Sequence, residues 1–473
     1  MKKHLITFIL LGLVGAPSVI GAATINYFEN EQLQGIKVSL PSSYDGRIYA
    51  SLVKNQQSEG NCWNYMANGL LETSLMKQYG ITDKAFYDFS EEAMDRDTSI
   101  EYGGKKGFER NYKDAGNFDI AMAYWSRGDL GGPIDEKTGV RAPYYVKHIV
   151  GIQSIDRNST QFIETNYSGD YIENKDIEQI KEWIYQYGAV AASYYAGDYL
   201  EMSYLYSNYP YGNSQELAYH FPGNKAANHG SILVGWDDYY SRENFNEGYQ
   251  PKCDGAFLVK NSWGTNWGEE GYVWISYETA FSDLYAIAEV GGIDFYNQIY
   301  EYDPHGMIGF MSVNYNTNQG AYMNQYDTKG EKELLTAVST YVTNPENQYR
   351  IYVSTDGKAE HLKEVKATNA GRYQAGIGYE MPFKGYMTFE LEEPVTVNGK
   401  FLVAIEVTSL NKGATNVPIE INNEGACDNV KTVKKRGYIA ENIEAMKANA
   451  TYDVANQEAN LCLKAFTKNI EIK

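Results

Sequence analysis

Apolar residues fall at helical spacing, Met66, Leu70, Leu71 and Leu75, directly after the turn-tolerant stretch Asn55 to Asn61, and the pattern stops at Gly80. The spacing predicts a helix that opens at Cys62. A second amphipathic helix is predicted where Ile177, Ile180 and Ile184 share one face, with AVAASYY after it as a strand. Apolar, β-branched runs follow His229 and precede Asn261, and each reads as a buried strand. Between them, Asp237 to Gly255 is polar and aperiodic, which predicts a surface insertion. After Tyr300 the pattern changes to short alternating runs, YRIYVST, GYMTFELEE and KFLVAIEV, with Asn398-Gly399 as a hairpin signal between the last two. The whole predicts an α+β region followed by an all-β sandwich.

Length and composition sharpen this picture. A chain of 473 residues exceeds one average core and predicts two domains. All seven tryptophans, from Trp63 to Trp274, lie in the first of them, which places the boundary near Asp294 to Asp303. The N-terminus carries two lysines, an apolar core from Leu5 to Val14, and small residues Gly21 and Ala23 placed for cleavage. Residues 1–23 therefore read as a secretory signal peptide, with no membrane span expected in the mature chain. Residues 24–39 form a short segment before the first domain. A net charge of -20 argues against nucleic acid as a partner. The 43 tyrosines are compatible with strands or with sugar- or peptide-binding surfaces.

Cys62 is the candidate nucleophile, because a helix N-terminus favours thiolate over thiol and offers amides to a developing oxyanion. His229 and Asn261, each beside an apolar strand, complete a Cys-His-Asn set. With these residues the sequence resembles the papain-like cysteine peptidases. The motifs are Val53, Lys54, Asn55, Gln56, Gly60, Cys62 and Trp63; Asn228 and His229; and Asn261, Ser262, Trp263, Gly264, Trp267, Gly268, Gly271 and Tyr272. The resemblance implies a papain-like domain over 40–295, hydrolysis of a protein or peptide substrate, and an oxyanion hole formed by Gln56 with the Cys62 amide. It implies no cofactor or metal, and no two cysteines have metal-ligand spacing. The segment from Gly116 looks like the glycine-rich wall of the family's cleft.

Two departures stand out. The family's second cysteine, three residues before the nucleophile, is Glu59 here, so that disulfide is absent. His229 and Asn261 also lie further from Cys62 than the family's roughly 130 to 150 residues, which again implies insertions. Of the remaining cysteines, Cys427 and Cys462 are the expected bridge, with Cys253 a lone thiol. His148, His220, His305 and His361 have no catalytic motif around them.

Residues 296–473 resemble the lectin-like β domain that follows such peptidases in some secreted bacterial and archaeal proteins. That resemblance implies carbohydrate as a second partner and a targeting role without catalytic groups. The reading is thus a secreted cysteine peptidase with a Cys62, His229, Asn261 and Gln56 site. A transglutaminase-like acyl transferase and a non-catalytic adhesin on a peptidase scaffold are the alternatives.

Overall fold

The computed structural model describes residues 39–470, except 129–130, 153–174, 198–211, 214–216, 224, 293, 295, 314–317, 331, 345–346, 369–372, 375–377, 382, 411–414 and 425. The expected signal peptide, and all but the last residue of the segment after it, lie outside the described residues.

Helix α1 (Cys62–Tyr79) begins and ends where the spacing predicts, and Gly80 closes it with a φ of 65°, the left-handed cap that glycine adopts without strain. Helices α2 (Glu91–Thr98) and α3 (Phe118–Ser126) pack beside it. Their N-caps Ser90 and Asn117 accept hydrogen bonds from Ala93 N and Ile120 N. Helix α4 (Lys175–Tyr187) is the predicted amphipathic helix.

The sheet between these helices uses β1 (Ser43–Asp45), β2 (Tyr144–Ile152), β3 (Val190–Tyr194), β4 (Gly212–Asn213), β5 (Ala218–Tyr219), β6 (His229–Asp237), β7 (Ala256–Lys260), β8 (Tyr272–Ser276) and β9 (Phe281–Gly292). Its order is β2-β9-β3-β6-β7-β8-β5-β4, with β1 pairing β6. Alternation along the strands decides which layer each residue joins. Ile232 and Val234 on β6, Ala191 on β3 and Leu258 on β7 pack with α1, whereas Leu233, Val190, Ala192 and Val259 pack with Ile177, Ile180 and Ile184 of α4. Both faces are covered, which explains why these strands read as continuous apolar runs. The predicted insertion is irregular apart from single turns at Arg242–Asn244 and Glu247–Tyr249.

The C-terminal part is a β-sandwich. One layer contains strands Gln319–Asp327, Gln348–Ser354 and Lys400–Thr408; the other contains Glu333–Val342, Lys384–Val397 and Leu463–Asn469. Tyr322, Ile351, Val403 and Ile405 from the first meet Val338, Phe389 and Leu463 from the second.

One expectation is corrected here. Asn398-Gly399 makes a tight reversal, with Gly399 at φ 69°, yet the strands on either side do not pair. They belong to opposite layers, so the turn passes the chain across the sandwich: a turn dipeptide specifies reversal, not partners. The β domain continues the sheet of the first domain. Lys384–Met387 pair antiparallel with His148–Gly151 of β2, so the sheet of the first domain and one sandwich layer form a single 13-stranded sheet among the described residues. The Tyr145 hydroxyl meets the Tyr386 hydroxyl at 2.6 Å, and the Tyr386 hydroxyl donates to Ser339 at 2.7 Å. The rings of Tyr145, Tyr296 and Phe466 pack edge to face at this seam.

The expected Cys427–Cys462 bridge is not formed. All four cysteines are free, and Cys253, Cys427 and Cys462 are buried. Cys427 Sγ donates to Asn429 Oδ1 at 3.3 Å, so it is held as a thiol. Among the described residues, no helix is long and apolar enough to cross a membrane.

Candidate active site

Three elements bring the predicted residues together. Cys62 is the first residue of α1, His229 the first of β6, and Asn261 follows β7, which pairs with β6. The cap residue Asn61 gives its side chain to Asp95 Oδ2, at 3.0 Å, and makes no cap hydrogen bond. The first-turn amides of α1 are thus left without a side-chain acceptor from their own cap.

The protonation geometry of His229 follows from hydrogen-bond donors alone. Ser262 N donates to Asn261 Oδ1 at 2.7 Å, and a backbone amide can only donate, so that atom is the amide oxygen. His229 Nε2 lies 2.8 Å from the same oxygen and must carry a proton to bond it. In the neutral ring the lone pair is then on Nδ1. Trp263 packs against the imidazole, its ring centroid 4.7 Å from that of His229, and Trp267 packs edge to face on Trp263. Both partners are buried, which keeps water from competing for the bond.

Gln56 is oriented by its surroundings. Its Oε1 accepts from Ser262 Oγ at 2.6 Å and its Nε2 donates to Glu59 O at 2.7 Å, which turns the amide nitrogen toward the loop before Cys62 and leaves its second hydrogen unspent. The same loop is tied to the second strand of the motif: Gln56 N donates to Ser262 O at 2.8 Å, and Asn55 bridges Trp263.

Burial acts on both members of the pair. It pushes the Cys62 thiol up, while the backbone amides of Gly230, Trp63 and Cys62 itself oppose the rise. It pulls the His229 imidazole down to about 4, against the bond from Asn261. Burial thus shifts each group, taken singly, toward its neutral form. Cys62 keeps a partly exposed face, so its desolvation is less complete than that of His229.

Several residues of this site carry no motif. Ser231 Oγ lies 3.4 Å from Asn261 Oδ1 and 3.4 Å from the Tyr194 hydroxyl, and Tyr194 packs edge to face on His229. Beneath Gln56, Lys54 is ion-paired to Glu72, Asp88 and Glu91 at 3.0, 2.9 and 2.9 Å. Burial opposes its charge, but Glu72 and Glu91 hold Lys54 protonated. This buried cluster anchors residues 53–56 to α1 and α2. Where the family's disulfide is missing, Glu59 Oε1 pairs with Lys113 Nζ at 2.6 Å and Gly60 N donates to Lys113 O at 3.2 Å. The other described histidines stand apart: His148, for example, bonds Thr388 O at 2.8 Å in the seam between sheets.

Comparison with known proteins matches residues 40–290 to the family described as papain family cysteine protease, and residues 299–467 to the lectin like domain. Among curated proteins, the chain is 27% identical over 249 residues to cathepsin L of Sarcophaga peregrina, covering 50% of this chain and 59% of that protein. It is 27% identical over 235 residues to falcipain-3 of Plasmodium falciparum, covering 49% and 40%, and 28% identical over 246 residues to cathepsin L1 of Drosophila melanogaster, covering 50% and 54%. The match thus spans about half the length of these relatives. Among solved structures, the clostridial cysteine protease Cwp84 after propeptide cleavage aligns with a TM-score of 0.72 at 21% identity, covering 91% of this chain and 100% of that one. The cysteine protease and lectin-like domains of Cwp84, a surface layer associated protein of Clostridium difficile, align with a TM-score of 0.69 at 21% identity, covering 91% and 89%. At this identity the likeness is one of fold, and it extends over both parts of the chain.

Proposed function

Since the chain belongs to the papain family of cysteine proteases, we propose that it hydrolyses peptide bonds through Cys62, His229, Asn261 and Gln56. The observation that carries this reading is the bond from His229 Nε2 to Asn261 Oδ1, because it leaves Nδ1 as the ring's base. His229 Nδ1 takes the Cys62 proton as the thiolate attacks the substrate carbonyl, and returns it to the leaving amine. The two neutral groups become an ion pair by one proton transfer, with no change of net charge in the cleft. The Cys62 amide and the free hydrogen on Gln56 Nε2 receive the oxyanion, where losing one donor costs about 10² to 10³ in rate. Water then hydrolyses the thioester, again with His229 as base.

The peptidase reading assigns residues 40–295 to catalysis and 296–473 to a lectin-like domain, with carbohydrate as the second ligand class. Export through residues 1–23 fits a protein whose structural neighbour is surface layer associated. The test is covalent labelling and turnover together. The purified chain should hydrolyse an unstructured protein, an epoxide or iodoacetamide label should map to Cys62, and Cys62→Ala should lose both. Full proteolysis by the Cys62→Ala chain would end the proposal.

A further inference from the structure

The wall beside the nucleophile continues into the C-terminal domain. Trp63, the residue after Cys62, donates its indole N–H to Asp114 O at 3.3 Å and lies flat against Gly116, where a Cβ would sit 2.7 Å from the ring. Glycine is therefore required there, and the backbone of Ala115, Gly116 and Asn117 is left exposed. These residues form one side of a cavity of about 420 Å³. Its other side comes from the C-terminal domain: Met307 and Ile308 from one segment, Asn423 and Ala426 from another.

Hydrogen bonds hold the two sides in register. Glu109 N donates to Ala426 O at 3.0 Å. Gly107 O accepts from Asn429 Nδ2 at 3.0 Å and from His305 Nε2 at 3.1 Å, and the His305 ring packs edge to face on Phe108. The cavity is thus preformed by the junction and opens onto exposed backbone next to Trp63.

Its lining is mixed: the C-terminal domain brings the carbon surface of Met307 and Ile308, and Glu109, Arg110, Asn117, Asp119 and Asn423 bring polar groups. Phe108, Ile120 and the two alanines supply further carbon surface. The Arg110 guanidinium at its edge is occupied: it pairs with Asp95 and donates to Ala115 O at 3.1 Å and Asp114 O at 2.8 Å. Asp119 lies at the rim, exposed.

We propose that the C-terminal domain completes the substrate cleft, and that this cavity receives an apolar side chain of the peptide at a position distal to the scissile bond. The inference rests on the peptidase reading for its ligand class, and its distinctive claim is that Met307, Ile308 and Ala426 determine specificity from outside the peptidase domain. A domain expected only to target the enzyme would then also select what it cleaves.

The full chain carrying Cys62→Ala, which cannot consume substrate, is titrated with fluorescent hexapeptides that differ by leucine against glycine at one position at a time. At one distal position the leucine peptide should bind about tenfold or more tightly. Ala426→Trp, which fills the cavity while its backbone carbonyl still accepts from Glu109, should erase that difference, and so should Ile308→Asp. Equal binding at every position, or a leucine preference that survives both substitutions, overturns the proposal. Turnover of a dipeptidyl amide by the chain with Cys62 intact is measured beside it. Its absence overturns the catalytic reading, while the binding result still decides the cavity.

Discussion

Replacing Lys464 by methionine tests whether the shared sheet makes one folding unit of the two parts. Lys464 is almost completely buried, with its Nζ 2.9 Å from Glu301 Oε2 and 3.1 Å from Asp303 Oδ2. Despite burial, Lys464 and Lys106 hold Glu301 down at about 2, whereas burial pushes Asp303 up to about 7. Methionine removes the charge but keeps much of the volume. Glu301 retains Lys106, at 3.3 Å, so Asp303 is the group left without a counter-ion. Breaking a buried pair in this way costs about 3–5 kcal/mol. The sign of the pH dependence follows: a carboxyl whose folded pKa is raised destabilises the fold increasingly as pH climbs from its unfolded value through the folded one, so the cost is smaller near pH 5.5 and larger near pH 8. With a urea slope of about 3 kcal/mol per molar, the midpoint should fall by about 1–1.7 M. All seven tryptophans lie before residue 275, so their fluorescence reports the peptidase part alone, while far-ultraviolet dichroism reports both. The two midpoints should fall together. A tryptophan transition that stays in place while dichroism shifts would refute the coupling.

Other outcomes follow from the site. Asn261→Ala should lower kcat about 10- to 100-fold through loss of a buried hydrogen bond, with KM little changed; steady-state kinetics check this, and an unaltered kcat counts against the orienting role. Because His229 binds its proton more weakly folded, at about 4, than unfolded, stability should rise with pH from about 4 to 6.5 and be complete above. The amount is about 3 kcal/mol, read by denaturation at several pH values, and a slope that persists in His229→Gln would assign it elsewhere. Iodoacetamide on the native chain should modify Cys62 and spare buried Cys253, Cys427 and Cys462; a linked Cys427–Cys462 peptide in a non-reducing map would contradict the free thiols.

What the sequence disclosed follows from locality. The start of α1, the strands beside His229 and Asn261, and Gly80 as a cap are all set by neighbours within a few positions, so periodicity finds them. The roles of Ser231 and Tyr194 are set by side chains gathered from three strands, and neither carries a local mark. Of the carboxylates around Lys54, Glu72 and Glu91 sit on helices whose polar residues look solvated in one dimension, and Asp88 sits in the loop between them. The burial that opposes thiolate formation at Cys62 depends on packing from both layers, which a helix-start argument leaves out. Asn398-Gly399 misled because pairing in this fold is decided by which layer a strand enters.

The pairing of Lys384–Met387 with His148–Gly151 joins segments more than 230 residues apart in the chain. During synthesis, β2 emerges long before the strand that covers it, and contacts of such separation form slowly because a large loop must close first. Until then β2 offers an open row of amides and carbonyls to any other extended chain. Chains halted before residue 384 should accordingly be digested by a protease that spares the full-length protein; equal resistance would mean that the first half matures alone. Late closure of this seam is itself a delay, since the wall that Met307 and Ala426 add to the proposed substrate pocket is assembled only when the last strands arrive.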